Sequence, residues 1–161
     1  MHGFYLASEA AQLDCGRTLA ERLRGQSGLV FLRGDLGVGK TTLVRGLLRG
    51  LGYPGAVRSP SYTLIEPYEI GGQQIYHLDL YRLGDAEELE YLGLRDLLDG
   101  EALLLVEWPE RGAGVLPCPD LIIDLEHAPP GRQLRWLAQG DWASLLRNPP
   151  LWSGKFATSI G

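Results

Sequence analysis

Ten residues, GDLGVGKTTL at positions 34–43, combine flexible glycines with hydroxyl groups and one of the chain's two lysines. Gly34, Gly39, Lys40 and Thr41 fill the pattern G-x-x-x-x-G-K-[ST], in which backbone N–H groups curl around phosphate oxygens. Lys40 would place a positive charge on the terminal phosphates, and Thr41 would offer a hydroxyl ligand to magnesium. Because this composition predicts only about 0.003 chance matches, we interpret the loop as a nucleotide-phosphate site. The residues expected to contact the nucleotide in this loop and the turn after it are Asp35, Leu36, Gly37, Val38, Gly39, Lys40, Thr41 and Thr42.

Two other segments carry carboxylates that could complete a magnesium site. Glu107 follows the apolar run ALLLV, as an acid at the end of a buried strand does. Trp108 comes next, and the residues alone leave open whether it packs against the nucleotide or fills the core. In IYHLDLYR, His77 and Asp79 share one face of a strand. We assign Asp79 to the phosphate site, whereas a solvated strand face is the favoured interpretation of His77.

A third segment, RSPSYT, carries hydroxyl groups after a turn fixed by proline. A nucleotide-sensing switch loop has this character, although Ser-Pro by itself only indicates a turn. The residues of this switch-like loop are Ser59, Pro60, Ser61, Tyr62 and Thr63.

The elements around the glycine loop are those that a phosphate site requires. GLVFLRG predicts a buried strand before the loop, and the leucine spacing of TTLVRGLLRGLG predicts a helix after it. Ser8 should cap an earlier helix, and the runs around GGQ should form a hairpin whose first strand is an edge because it contains Pro67. An acidic helix divided by Gly93, the strand ALLLVE, two paired strands and a short last helix follow. The sequence thus predicts an α/β, P-loop NTPase-like three-layer domain with a mixed parallel/antiparallel central sheet.

The bulk composition fits one domain. The 161 residues are 45% hydrophobic, and we expect a single ATPase domain over 1–147 followed by a flexible tail, rich in proline, glycine and serine, over 148–161. The net charge of -5 argues against a broad face that binds nucleic acid directly. There is no basic leader with an apolar run and no apolar stretch long enough for a membrane span, so the expected location is the cytoplasm.

Two other nucleotide-binding classes fit the sequence less well. The N-K-x-D base-recognition sequence of GTPases cannot occur, because the one asparagine is Asn148. A small-molecule kinase usually has an arginine-rich lid, but the acidic segment 84–101 contains Arg95 as its one basic residue. A switch-type ATPase is favoured; a kinase and a non-catalytic module whose surface is set by bound nucleotide remain alternatives.

Five segments together resemble the bacterial TsaE (YjeE) family. They are GDLGVGKTTLVRGLLRGLG, VRSPSYTLIEPY, IYHLDLYRL, EELEYLGLRDLL and LLLVEWPER, and the resemblance extends over about residues 5–138. The glycine loop alone is not specific, whereas its combination with S-P-x-[FY]-T, H-x-D-x-Y-R and E-W-P is. Ser61 stands where the family usually has threonine, which keeps the hydroxyl group.

The resemblance implies an ATPase needed for the threonylcarbamoyl modification of adenosine next to the anticodon of certain tRNAs. It implies ATP and Mg²⁺ as cofactors, Lys40, Asp79 and Glu107 as catalytic residues, Thr41 and Glu107 as magnesium ligands, and Trp108 at the nucleotide. It also implies TsaB and TsaD as partners, with tRNA bound indirectly through that complex. Whether Asp79 or Glu107 positions the attacking water stays open.

Overall fold

The computed structural model describes residues 2–147 and Trp152. Within that part of the chain, seven strands form one sheet with five helices packed around it, and a 3₁₀ turn follows the fifth strand. The elements are β1 (His2–Leu6), α1 (Glu9–Leu23), β2 (Gly28–Arg33), α2 (Lys40–Leu51), β3 (Ile65–Ile70), β4 (Gln73–Asp79), α3 (Glu88–Tyr91), α4 (Leu94–Asp99), β5 (Leu103–Glu107), the 3₁₀ turn (Pro109–Gly112), β6 (Leu121–Ala128), β7 (Gly131–Ala138) and α5 (Asp141–Arg147).

The seven strands form one sheet in the order β1-β7-β6-β2-β5-β4-β3. The four strands β6, β2, β5 and β4 run parallel, while β7, β1 and β3 pair antiparallel with their neighbours. The carboxyl ends of β2, β4 and β5 therefore meet at one edge of the sheet. The predicted α/β fold with a mixed sheet is confirmed, and Pro67 does lie in an edge strand, β3.

Helices cover both faces of the sheet and make the three predicted layers. Leucines of α1 and α2, such as Leu19 and Leu47, share one buried cluster with Val30 and Leu105 of the central strands. On the other face, Leu89 and Leu94 of the short helices α3 and α4 pack with Leu104 and Val106 of β5 and with their neighbours. Burying each such side chain contributes about 1.5–3 kcal/mol.

Two glycines let α1 and α2 touch backbone to backbone. A Cβ atom on Gly46 would overlap the backbone of Leu13, and one on Gly16 would overlap the Leu43 carbonyl. The sequence marks Gly16 as a weak point of the first helix, but its small size is what the close crossing needs. Because α2 is fixed against α1 here, its N-terminus is held at the edge where the parallel strands end.

The first strand was not predicted. The hairpin-like runs later in the chain were, but β1 pairs antiparallel with β7, with Phe4 opposite Leu134. An edge strand of five residues held by a partner about 130 residues away carries little local signal. Among the described residues, no helix is long and apolar enough to cross a membrane.

The expected flexible tail, 148–161, lies outside the described residues apart from Trp152. The indole of Trp152 is buried and its Nε1 donates a hydrogen bond to the Cys15 carbonyl at 2.9 Å. Its ring meets Phe4 and Trp136 edge-on, with centroids 5.3 and 5.6 Å apart. This one residue of the segment therefore belongs to the core beside α1.

Candidate functional site

The glycine loop joins β2 to α2 and turns through backbone conformations that suit glycine. Gly37 and Gly39 have φ angles of 75° and 110°, in the left-handed region that side chains disfavour. Gly39 is also the residue before α2, so the loop delivers its N–H groups to the positive end of a twelve-residue helix. This is the arrangement that the motif predicts for a phosphate cradle.

Lys40 opens α2 and is almost completely buried under the aromatic ring that follows β5. Its Nζ donates to the Gly34 carbonyl and lies 3.8 Å from the centroid of the Trp108 ring. Burial lowers the pKa of Lys40, while the charges of Glu107 and Asp79 oppose that shift. Trp108 itself has a φ of 56°, an uncommon conformation for a bulky residue, which turns its ring over the loop.

Glu107 is the centre of a buried polar cluster. Its Oε2 accepts a hydrogen bond from the Thr41 hydroxyl at 2.9 Å and lies 2.6 Å from the Nε2 atom of His77. His77 is fully buried, and its second ring nitrogen, Nδ1, has no hydrogen-bond partner among the described residues. The Glu107 carboxylate is thus held by side chains from the first turn of α2 and from β4.

Asp79 lies next to Glu107 because β4 and β5 are parallel and in register at these two residues. Its Oδ1 accepts a hydrogen bond from the backbone N–H of Tyr81 at 3.0 Å. Burial raises the pKa of Asp79, the Tyr81 N–H lowers it, and the negative charge of Glu107 raises it further. A buried acid beside a second acid is typical of a functional site.

These groups line one cleft of about 220 Å³. Most of the predicted contact residues border it, and the full lining is Leu36, Gly37, Gly39, Lys40, Thr41, Thr42, Ser59, Ser61, Asp79, Glu107 and Trp108. Two predicted contact residues do not: the Asp35 side chain is exposed, and the Val38 side chain is buried in the core. Val38 could therefore contact a ligand through its backbone alone.

The predicted switch-like loop is split between the cleft and the surface. Ser59 and Ser61 line the cleft and their hydroxyl groups are 2.8 Å apart. Pro60 accepts a turn hydrogen bond from the Leu64 N–H, at 2.8 Å. Tyr62 is 83% exposed and carries the Arg82 guanidinium 4.7 Å from its ring centroid. Thr63 donates to Glu66 outside the cleft, at 3.1 Å.

The expectation that His77 lies on a solvated strand face is wrong. Its alternation with Asp79 is as expected, but this face of β4 lies under the helix layer and against Glu107 rather than in solvent. Two features of the sequence indicate that His77 is buried. The apolar Ile75 shares its strand face, together with Asp79, and the next strand ends in an acid. Arg132 of β7 was not identified from the sequence, because it belongs to no motif; its Nε donates to the carbonyl of Val38 in the loop.

The oxygen donors suit magnesium, a hard cation that commonly takes one or two carboxylates together with phosphate oxygens. The hydroxyl of Thr41 and the carboxylates of Glu107 and Asp79 meet beside Lys40 in the same cleft. Within residues 2–147 and Trp152, no group of three or more His, Cys, Asp or Glu side chains could hold a metal ion. The hydroxyl and carboxylate oxygens of these three residues would suit a magnesium ion that binds together with a phosphate.

A mixed α/β sheet whose central strand leads into a glycine loop and a helix defines a protein of the P-loop class. The family model for Threonylcarbamoyl adenosine biosynthesis protein TsaE matches residues 6–134, and the chain belongs to the TsaE family. The resemblance found in the sequence motifs is confirmed.

Individual relatives agree with the family match. The tRNA threonylcarbamoyladenosine biosynthesis protein TsaE of Haemophilus influenzae is 45% identical over 139 residues, which is 84% of this chain and 88% of that protein. The Bacillus subtilis protein of the same name is 39% identical over 119 residues, 73% of this chain and 74% of that one. A crystal structure of Bacillus subtilis YdiB superposes with a TM-score of 0.76 at 27% identity, covering 91% of each chain.

Proposed function

We propose that this chain is a Mg²⁺-dependent ATPase subunit required for threonylcarbamoylation of adenosine next to the anticodon of tRNA. Membership of the family supports the assignment to this tRNA modification, since the relatives are named as threonylcarbamoyladenosine biosynthesis proteins. The observation that carries the activity is the convergence of Lys40, Thr41, Asp79 and Glu107 in one cleft at the N-terminus of α2. Phosphoryl transfer is catalysed mainly by positioning and by neutralising charge, which is what such a cleft can do.

The glycine loop and Lys40 would bind the phosphates. The N–H groups that follow Gly37 and Gly39 would cradle the phosphates at the positive end of α2. The Lys40 ammonium would leave the Gly34 carbonyl for a phosphate oxygen, a stronger acceptor because it is charged. Trp108 would keep that ammonium in place while excluding water from one side of it.

Thr41 and Glu107 would hold the magnesium ion, directly or through water. The ion supplies positive charge that stabilises the negative charge developing on the phosphate oxygens. His77, which does not line the cleft, would hold the Glu107 carboxylate beside Thr41 through its hydrogen bond.

Asp79 is the better placed of the two acids to orient the attacking water. Glu107 already bonds Thr41 and His77, whereas Asp79 accepts a single hydrogen bond at Oδ1 among the described residues. Its Oδ2 atom can accept the proton of the water as the water oxygen bonds to the γ-phosphorus and the bond from that phosphorus to the leaving ADP oxygen breaks. Burial raises the pKa of Asp79, which makes it a stronger proton acceptor than an exposed aspartate.

The proposal includes TsaB and TsaD as partners, with tRNA bound through that complex. The net charge of -5 supports an indirect contact, because a protein that grips RNA by itself usually presents a basic surface. ATP hydrolysis would then serve repeated turnover of the complex.

An ATPase assay with and without TsaB and TsaD tests the proposal. Lys40→Ala, Asp79→Asn and Glu107→Gln should each lower turnover about 100-fold or more, while Glu21→Gln, an exposed acid on α1, should leave it unchanged. Wild-type turnover in all three variants would refute the proposal. Transfer of phosphate to a metabolite would indicate a kinase, and nucleotide binding without hydrolysis in the presence of both partners would indicate a nucleotide-gated module.

A further inference from the structure

One side chain outside the motif reaches the phosphate-binding loop. Arg132 lies near the start of β7, and its Nε donates a hydrogen bond to the Val38 carbonyl at 2.9 Å. A second guanidinium nitrogen donates to the Gly131 carbonyl, also at 2.9 Å. The planar guanidinium therefore ties the loop to the hairpin that β6 and β7 form.

This contact sets the direction of an N–H group in the loop. Val38 and Gly39 share a peptide bond, and in a trans peptide the carbonyl and the N–H point in opposite directions. The Val38 carbonyl points toward Arg132, which does not line the cleft, so the Gly39 N–H points the other way. Gly39 does line the cleft. Its N–H is one of those that would meet a phosphate.

Among the described residues, Arg132 is the one hydrogen-bond donor to the Val38 carbonyl, whereas the Gly39 carbonyl accepts from the Leu43 N–H. Gly39 has a φ of 110° and no side chain, so its backbone can rotate more freely than that of other residues. The Val38 side chain is anchored in the core, and the Gln12 side chain occupies the space that a Cβ on Gly39 would need. Those contacts restrict where the two residues lie, whereas the hydrogen bond from Arg132 acts on the carbonyl itself.

We propose that Arg132 is a positioning residue that holds the Val38–Gly39 peptide with its N–H directed at the bound phosphate. The inference rests on the proposed nucleotide binding, and it adds a residue outside the glycine motif to the phosphate site. Arg132 acts through the peptide and need not touch the nucleotide. Lysine would substitute poorly, because its single flexible ammonium lacks the fixed pair of donors that joins Val38 to Gly131.

The test compares Arg132→Met with Arg135→Met, an exposed arginine on the same strand. Dissociation constants for Mg-ATP and ADP are measured by calorimetry with the full chain, together with melting temperatures without nucleotide. Losing a hydrogen bond from a charged group should raise both dissociation constants about tenfold in Arg132→Met and less than about twofold in Arg135→Met. In the ATPase assay, KM should rise more than kcat falls.

A spectroscopic readout separates positioning from simple support of the fold. In ¹⁵N-labelled wild-type protein, ADP should shift the Gly39 amide resonance strongly, and in Arg132→Met that shift should shrink. An unchanged Gly39 shift and unchanged dissociation constants in folded Arg132→Met, even with a lower melting temperature, would overturn the inference. If Arg132→Met does not fold, Arg132→Lys decides in the same way, with intermediate values expected and wild-type values overturning it. Failure of the wild-type protein to bind nucleotide would instead refute the proposed function, and this inference with it.

Discussion

Replacing His77 with phenylalanine should destabilise the folded protein through Glu107. The imidazole is fully buried and its Nε2 lies 2.6 Å from Glu107 Oε2, while Glu107 is 3% exposed. Phenylalanine fills a similar volume but cannot bond the carboxylate. Among the described side chains, Thr41 alone would then bond the buried carboxylate of Glu107.

The expected cost follows from these contacts. A hydrogen bond to a charged group contributes about 1.5–3 kcal/mol, and leaving a buried acceptor short of a partner adds to the cost of losing it. We therefore expect His77→Phe to lower the free energy of unfolding by about 2–4 kcal/mol. If the cost arises at Glu107, it should largely vanish when Glu107 is also made apolar, because replacing both partners of a buried pair can be nearly neutral.

A double-mutant cycle in urea measures this coupling. The four proteins are the wild type, His77→Phe, Glu107→Leu and the double variant, with His127→Phe, an exposed histidine on β6, as the matched control. We expect a coupling of at least about 1.5 kcal/mol between the two sites and a change below about 0.5 kcal/mol in the control. If the destabilisations of the two single variants sum to that of the double variant to within about 0.5 kcal/mol, His77 does not hold Glu107.

Three further predictions concern neighbouring features. Since burial raises the folded-state pKa of Asp79 above its unfolded value, its ionised form costs stability above that pKa, and the cost disappears as the pH falls. Asp79→Asn should thus be more stable than the wild type at neutral pH without nucleotide. The difference between their free energies of unfolding in urea should shrink toward about pH 4, and a difference that stays constant would contradict this. Gly46→Ala, which places a Cβ against the Leu13 backbone, should lose about 1–3 kcal/mol in the same assay, and wild-type stability would show that the helices separate freely. Trp108→Phe should abolish the change in tryptophan fluorescence on adding ATP, because Trp108 lines the cleft; persistence of the full change would place the signal elsewhere.

Local signals were sufficient to predict the part of the fold that carries the loop. The apolar run of β2, the glycines and the leucine spacing of α2 all act between residues close in sequence. The hairpin of β3 and β4 was equally local, with Gly71 and Gly72 at its turn in left-handed conformations. The elements that carry the motif residues were therefore predicted in the correct order along the chain.

Contacts between distant residues were harder to predict. β1 is a strand because β7 lies beside it, and His77 is buried beside Glu107, which lies on the neighbouring strand β5. Neither partner is adjacent in sequence, so alternation of residue types could not tell solvent from protein on those faces. The role of Arg132 could not be predicted for the same reason, because its hydrogen bond joins β7 to a loop residue 94 positions earlier.

We propose that nucleotide hydrolysis in this cleft sustains tRNA modification. The most direct measurement is the amount of threonylcarbamoyladenosine formed per TsaB–TsaD complex when tRNA and the threonylcarbamoyl donor are in excess. With wild-type protein and Mg-ATP, we predict many rounds of modification accompanied by release of ADP and phosphate. With Glu107→Gln, modification should stop after about one round. Equal modification by the wild type and Glu107→Gln, or without this protein at all, would contradict the account.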